Sequence, residues 1–111
     1  MDKKICEISD FEISAIHAAL PLVLIYEKEP DKIAMLRKLI DSLSQKLSKD
    51  RCLLNSMEQQ LIYNSSVLAD AALTNDPEFQ VDPQVKREIS PYFFVYPTLI
   101  EKAKKMLDSY A

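Results

Sequence analysis

Residues 31–73 read DKIAMLRKLIDSLSQKLSKDRCLLNSMEQQLIYNSSVLADAAL, and the way this stretch divides decides the fold. Its first half carries Ile33, Leu36, Ile40, Leu43 and Leu47 at alternating steps of three and four. That is the period of one apolar helix face. Lys32, Arg37, Lys38, Asp41, Gln45 and Lys46 take the solvent side. The same phase runs on imperfectly through Leu54, Met57, Leu61, Leu68 and Ala71, with Asp50 and Asn64 at core positions. No proline or glycine lies between Asp31 and Asp76, so a single long helix is allowed. Two features favour a break. Ser48, Asp50, Asn55 and Ser56 fall in one window, and such side chains compete for backbone hydrogen bonds. Ser56-Met57-Glu58-Gln59 also has the form of a capping box, which starts a new helix. The expected result is a helical hairpin with its turn between residues 48 and 56.

Outward toward the N-terminus, Ser9-Asp10-Phe11-Glu12 is another capping box. The helix it opens carries Ile13, Ile16, Leu20, Val23 and Leu24. Pro21 kinks or ends that helix, because it lacks an N–H and its ring crowds the preceding turn. If the helix ends there, residues 22–26 (LVLIY) read equally as a short buried strand. Toward the C-terminus, residues 74–82 hold Asn75, Asp76, Pro77 and Asp82 and read as a connection. Asp82 caps a short helical turn over 84–89, with Pro83 at its first position. Ser90-Pro91 leads into Tyr92-Phe93-Phe94-Val95-Tyr96, which reads either as a strand or as a helix kinked at Pro97. From Pro97 to Tyr110 a final helix carries Leu99, Ala103, Met106 and Tyr110 on one stripe, with Lys104 and Lys105 where positive charge suits the helix dipole. The expected fold is all-α, a compact bundle of four to five helices including the hairpin, with a minor alternative in which residues 22–26 pair with 92–96 as two short strands.

Composition supports this. The chain of 111 residues contains no glycine. Meanders of short strands lean on glycine for their positive-φ turns, whereas helices joined by short connections do without it more easily. Asn55, Asn64 and Asn75 are then the candidates for left-handed positions. Hydrophobic residues make up 48%, enough for one core, and residues 1–111 are expected to form a single helical domain. Cys6 and Cys52 stand in no metal-binding spacing and read as reduced, apolar thiols. Asp2, Glu7, Asp10 and Glu12 interrupt the region where a signal peptide would be apolar. Residues 18–26, the most apolar run, are about half the length of a spanning helix. A cytoplasmic location without membrane contact is therefore expected.

Chemistry has little support in these residues. His17 is the only histidine, and no nucleophile and base arrangement accompanies it. Loops that cradle phosphates or dinucleotides need glycine, which is lacking. Asp76 and Glu78 form no dense oxygen-ligand series. No catalytic residue, metal site or cofactor is expected, and the protein reads as a non-enzyme. Charge is more informative. Residues 31–51 hold six basic and three acidic residues, whereas 52–85 hold five acids and no Lys or Arg. Two such helices complement each other internally, or the second presents an acidic face to a basic partner. Asp70, Asp76 and Glu78 are the partner-binding candidates on that face, joined by Tyr92 and Tyr96, whose hydroxyls want water or a partner. Phe93 and Phe94 are assigned to the core. The expected function is a protein-interaction module (a regulator, adaptor or inhibitor) that docks onto another protein. A second copy of the chain is an alternative occupant for the apolar stripe of 33–47. A nucleic-acid-associated regulator using the basic face of residues 32–51 is the alternative function; Gln59 and Gln60 after that basic helix give slight encouragement to a helix-turn-helix, since glutamine can read adenine edges. The net charge of −3 counts against it.

Overall fold

Six α-helices succeed one another in the computed structural model, which describes residues 3–4, 8–49, 53–74, 77 and 80–108. They are α1 (Asp10–Ala19), the single turn α2 (Leu22–Ile25), α3 (Pro30–Lys49), α4 (Ser56–Leu73), α5 (Pro83–Ile89) and α6 (Tyr96–Asp108). A 3₁₀ turn over Ser90–Tyr92 joins the last two. Two short strands, β1 (Lys3–Lys4) and β2 (Leu53–Leu54), pair antiparallel, with Lys3 opposite Leu54 and Lys4 opposite Leu53. The architecture is an all-α bundle with five helices of seven residues or more among the described residues. Its radius of gyration is 13.3 Å, close to the ~13 Å of a folded domain this size.

The hairpin break falls where the serine and asparagine cluster placed it, between Lys49 and Ser56. The capping box sits one residue earlier than Ser56–Gln59. Asn55 is the cap: its Oδ1 accepts from the Glu58 N–H at 2.8 Å, and its own N–H donates to Glu58 Oε1 at 2.9 Å. This register puts a carboxylate, rather than an amide, at the third helical position, where it accepts at the positive end of the helix dipole. Glu58 Oε1 also receives Lys46 Nζ at 2.9 Å. The opposite charges of the two helices therefore meet inside the hairpin, at a carboxylate only 1% exposed.

α4 is the central element, packing most extensively on α6 and also on α1, α2, α3 and α5. Its buried face is Leu61, Ile62, Ser65, Ser66, Ala69 and Ala72. Of the phase continued from α3, Leu54 and Leu61 are buried, Leu68 and Ala71 are half-buried and Met57 lies out in solvent, so the phase carries into α4 only in part. The break in the chain releases α4 to rotate. The small side chains it turns inward let α6 approach closely, with Leu99 and Ala103 fully buried. Full burial of Leu99 contributes about 1.5–3 kcal/mol. α3 is held less completely. Leu43 and Leu47 are buried, but Ile33, Leu36, Leu39 and Ile40 are only half covered.

Ser9 caps α1 reciprocally with Glu12, as the motif requires. The alternative pairing of residues 22–26 with 92–96 does not form. Pro21 takes helical angles (φ −59°, ψ −21°) and starts α2, so the chain stays helical through the proline. The Val23 N–H donates to the Leu20 carbonyl at 3.2 Å and the Leu24 N–H to the Pro21 carbonyl at 3.1 Å. Residues 90–95 coil in 3₁₀ and turn geometry before α6 begins at Tyr96. Asp82 caps α5 with Pro83 at its first turn, as read from the sequence. Glycine is not missed at these junctions: Leu20, Tyr26, Ser90 and Phe93 all turn with right-handed α angles. Asn55 is an extended cap and Asn64 lies inside α4, so neither takes the left-handed position considered for it, and Asn75 lies outside the described residues.

Candidate functional site

The capping box that opens α1 turns Glu12 back toward Ser9 and leaves Phe11, beside it, 45% exposed. A second aromatic source lies opposite, in the link between α5 and α6. There the Phe93 N–H donates to the Ser90 carbonyl at 3.2 Å and the Val95 N–H to the Tyr92 carbonyl at 2.9 Å. Ile89, Val95 and Tyr96 anchor this tight coil in the core, and Phe93 and Phe94 project outward, 63% and 58% exposed. The Phe11 ring lies 5.0 Å from Tyr92, tilted, and 5.4 Å from Phe94, stacked. Phe93 meets Phe94 edge-on at 5.6 Å. Such pairs gain about 0.5–1.5 kcal/mol each beyond area burial. The rings thus order one another while keeping much of their surface in water.

Two hollows flank this aromatic patch. One, of about 250 Å³, lies between α1 and α6 and is lined by Ser9, Phe11, Glu12, Phe94, Val95, Thr98 and Lys102. Its charges are internally matched. Lys102 Nζ donates to both Glu12 oxygens, at 2.8 and 3.0 Å. Burial by itself raises the Glu12 carboxyl pKa, but hydrogen bonds from Lys102 and Ser9 and the Lys102 charge outweigh it and hold the group below the ordinary carboxylate range. The other hollow, of about 280 Å³, lies at the end of α4 and is lined by Asp70, Leu73, Thr74, Ser90 and Phe93.

Of the residues singled out in the sequence, Asp70 and Tyr92 lie at this surface: Asp70 shares a hollow with Phe93, and Tyr92 packs on Phe11. Asp76 and Glu78 lie outside the described residues, as do Cys6 and Cys52. Tyr96 is a correction. It is fully buried, its hydroxyl donates to the Ala15 carbonyl at 3.0 Å, and burial pushes its pKa up. It is a core residue, and the solvent exposure expected of it belongs to Phe93 and Phe94 instead. Phe11 was not singled out, although it stands off the Ile13–Ile16–Leu20 stripe of its own helix.

Elsewhere the surface offers less. A groove of about 380 Å³ among α2, α3 and α4 is lined by half-covered side chains such as Leu36, Tyr63 and Leu68, and by one described charge, Glu27. The basic face of α3 is partly neutralised: Lys46 is held by Glu58 at 2.9 Å and Lys32 lies 3.6 Å from Glu29. His17 is exposed on α1. Among the described residues no three His, Cys, Asp or Glu side chains are placed to hold a metal ion. No described helix is long and apolar enough to cross a membrane. Compared with known protein families, with curated proteins and with solved structures, the chain matches none.

Proposed function

We propose that the protein is a non-enzymatic docking module, a regulator or adaptor that binds another protein through the patch of Phe11, Tyr92, Phe93 and Phe94. One observation carries this reading. Three phenylalanines that core packing would bury stand 45–63% exposed, with Phe94 in ring contact with both Phe11, at 5.4 Å, and Phe93, at 5.6 Å. Contiguous exposed apolar surface of this kind marks interaction sites, and aromatic side chains dominate interface energetics. The flanking Glu12–Lys102 pair and Asp70 supply the polar rim such interfaces carry.

The test places a photo-reactive phenylalanine analogue at position 94 of the full chain, in the native cell. A discrete cross-linked protein, lost when Phe93 and Phe11 are both changed to serine while the circular-dichroism spectrum holds, is the expected result. Cross-linking to no protein, or an adduct that persists in the serine variant, refutes docking at this surface.

A further inference from the structure

We propose that the hollow between the C-terminal end of α4 and Phe93 is a pocket for an arginine side chain presented by a basic segment of the docking partner, an inference that rests on the docking function above and specifies its chemistry. Three independent features of the hollow favour a planar cation. The first is Asp70, a half-buried residue that lines it. No described residue places a hydrogen-bond donor or a cation on the Asp70 carboxylate, in contrast to Glu12 and Glu58, which each hold a lysine. The second is the helix end itself. α4 runs for 18 residues and carries no basic side chain in its last turn, so the partial negative charge of its terminal carbonyls is not offset from within the helix. The third is Phe93, 63% exposed and lining the same hollow. An aromatic face attracts a guanidinium stacked on it, and a carboxylate lining the same hollow can accept the guanidinium fork. Leu73 gives the aliphatic stem an apolar wall.

The surroundings have the same sign. From Cys52 to Val85 the chain has five acidic residues and no Lys or Arg. Lys86 and Arg87 stand one turn before Ser90 on α5, and neither lines the hollow. Lysine satisfies the charge requirement but not the stacking one, so arginine is the better fit. The other hollow offers no such site, since its carboxylate is already occupied by Lys102.

The experiment titrates the ¹⁵N-labelled full chain with the capped peptide Ac-Ala-Arg-Ala-Arg-Ala-NH₂ and with its twin in which citrulline replaces arginine. Citrulline keeps the shape and removes the charge, so the comparison needs no protein variant. The expected result is saturable amide shifts at Asp70, Leu73, Thr74, Ser90 and Phe93, with the citrulline peptide binding at least about tenfold more weakly. Asp70→Asn is expected to weaken the arginine peptide by about tenfold, a loss of ~1.4 kcal/mol, and to leave the rest of the amide spectrum in place. Equal binding of the two peptides, shifts centred on another surface, or binding unchanged in Asp70→Asn each overturn the pocket. The cross-link at position 94 separates the two readings. A captured partner with no arginine-dependent shifts leaves docking standing and removes the pocket. Arginine-dependent shifts with no captured protein leave the pocket standing and remove the docking function.

Discussion

Replacing Lys102 by methionine tests the contact that ties the start of α1 to α6 across 90 residues of sequence. Both Glu12 oxygens accept from Lys102 Nζ, at 2.8 and 3.0 Å, and the two side chains are 12% and 24% exposed. Removing one partner of a fully buried pair costs about 3–5 kcal/mol, whereas an exposed pair is worth about 0.2–1 kcal/mol. This pair lies between those limits, nearer the buried one on the Glu12 side. The Ser9 N–H, at 3.0 Å from Oε1, still solvates the carboxylate after the change. A loss of about 2 kcal/mol follows, which for a urea m-value of ~1–2 kcal/mol/M lowers the unfolding midpoint by roughly 1–2 M. Glu12→Gln is expected to cost a similar amount. The double variant, with no ion left to bury, is expected to fall short of the sum by about 1 kcal/mol or more.

The pH dependence supplies a second readout. Glu12 has its folded pKa lowered, so its stabilisation is fully present above the ordinary glutamate pKa of ~4.3 and is lost as pH falls through the lower folded value. In Lys102→Met burial, which raises the carboxyl, loses its main opponent. Protonation then relieves the variant while it penalises the wild type. The stability gap between the two is therefore expected to narrow from pH 7 to pH 3, measured by urea unfolding at each pH. A constant gap across that range, or a double variant additive to within ~0.3 kcal/mol, refutes the assignment of this pair as a coupled, partly buried contact.

Three further outcomes test the packing. Tyr96→Phe is expected to cost only about 1 kcal/mol in chemical denaturation, since the Ala15 carbonyl it leaves keeps its place in the helical ladder of α1, while Tyr96→Ala is expected to cost ~3–5 kcal/mol through the cavity it opens. Asn55→Ala is expected to lower stability by about 1 kcal/mol and Ser56→Ala by less than ~0.5 kcal/mol; the reverse order would place the cap of α4 at Ser56. Ala69→Leu forces extra volume between α4 and its neighbours, where Ala69 is fully buried, and is expected to cost at least ~1–3 kcal/mol by thermal unfolding.

The helices themselves were legible because their signals are local. The Ser9–Glu12 box, the Asp82-Pro83 start and the break before α4 each depend on a few adjacent residues, and each appears in the structure within a residue of its expected place. What local pattern does not contain is the rotation of α4. Its inward face of Ser65, Ser66, Ala69 and Ala72 is a poor hydrophobic stripe, and it becomes a core face only because α6 offers Leu99 and Ala103 in return. The candidate site was half legible for the same reason. Asp70 was found from charge alone, but its neighbour Phe93 comes from a segment 23 positions away, brought there by the packing of α5 on α4. Residue hydrophobicity also misled: phenylalanine is the more apolar of the two ring types, yet the buried ring is Tyr96, whose hydroxyl finds the Ala15 carbonyl.

The inversion of the aromatic run follows from helical phase. Ile89, Tyr92, Val95, Tyr96, Leu99 and Ala103, buried or half-buried, recur at steps of one, three or four, through Pro91 and Pro97 alike. Each proline falls in the opening turn of its element, where its missing N–H removes no bond. The chain therefore keeps a helical period from α5 into α6, and residues 93 and 94 are left on the outer side whatever side chains they carry. Their burial was never available to the fold. It follows that polar residues at these positions should leave the fold intact and cost only the ring pairs they remove, about 0.5–1.5 kcal/mol for the one pair of Phe93 and for each of the two pairs of Phe94. Folding and ring exposure are then separable, and a partner lost on removing these rings is lost for want of the rings and not of the structure beneath them.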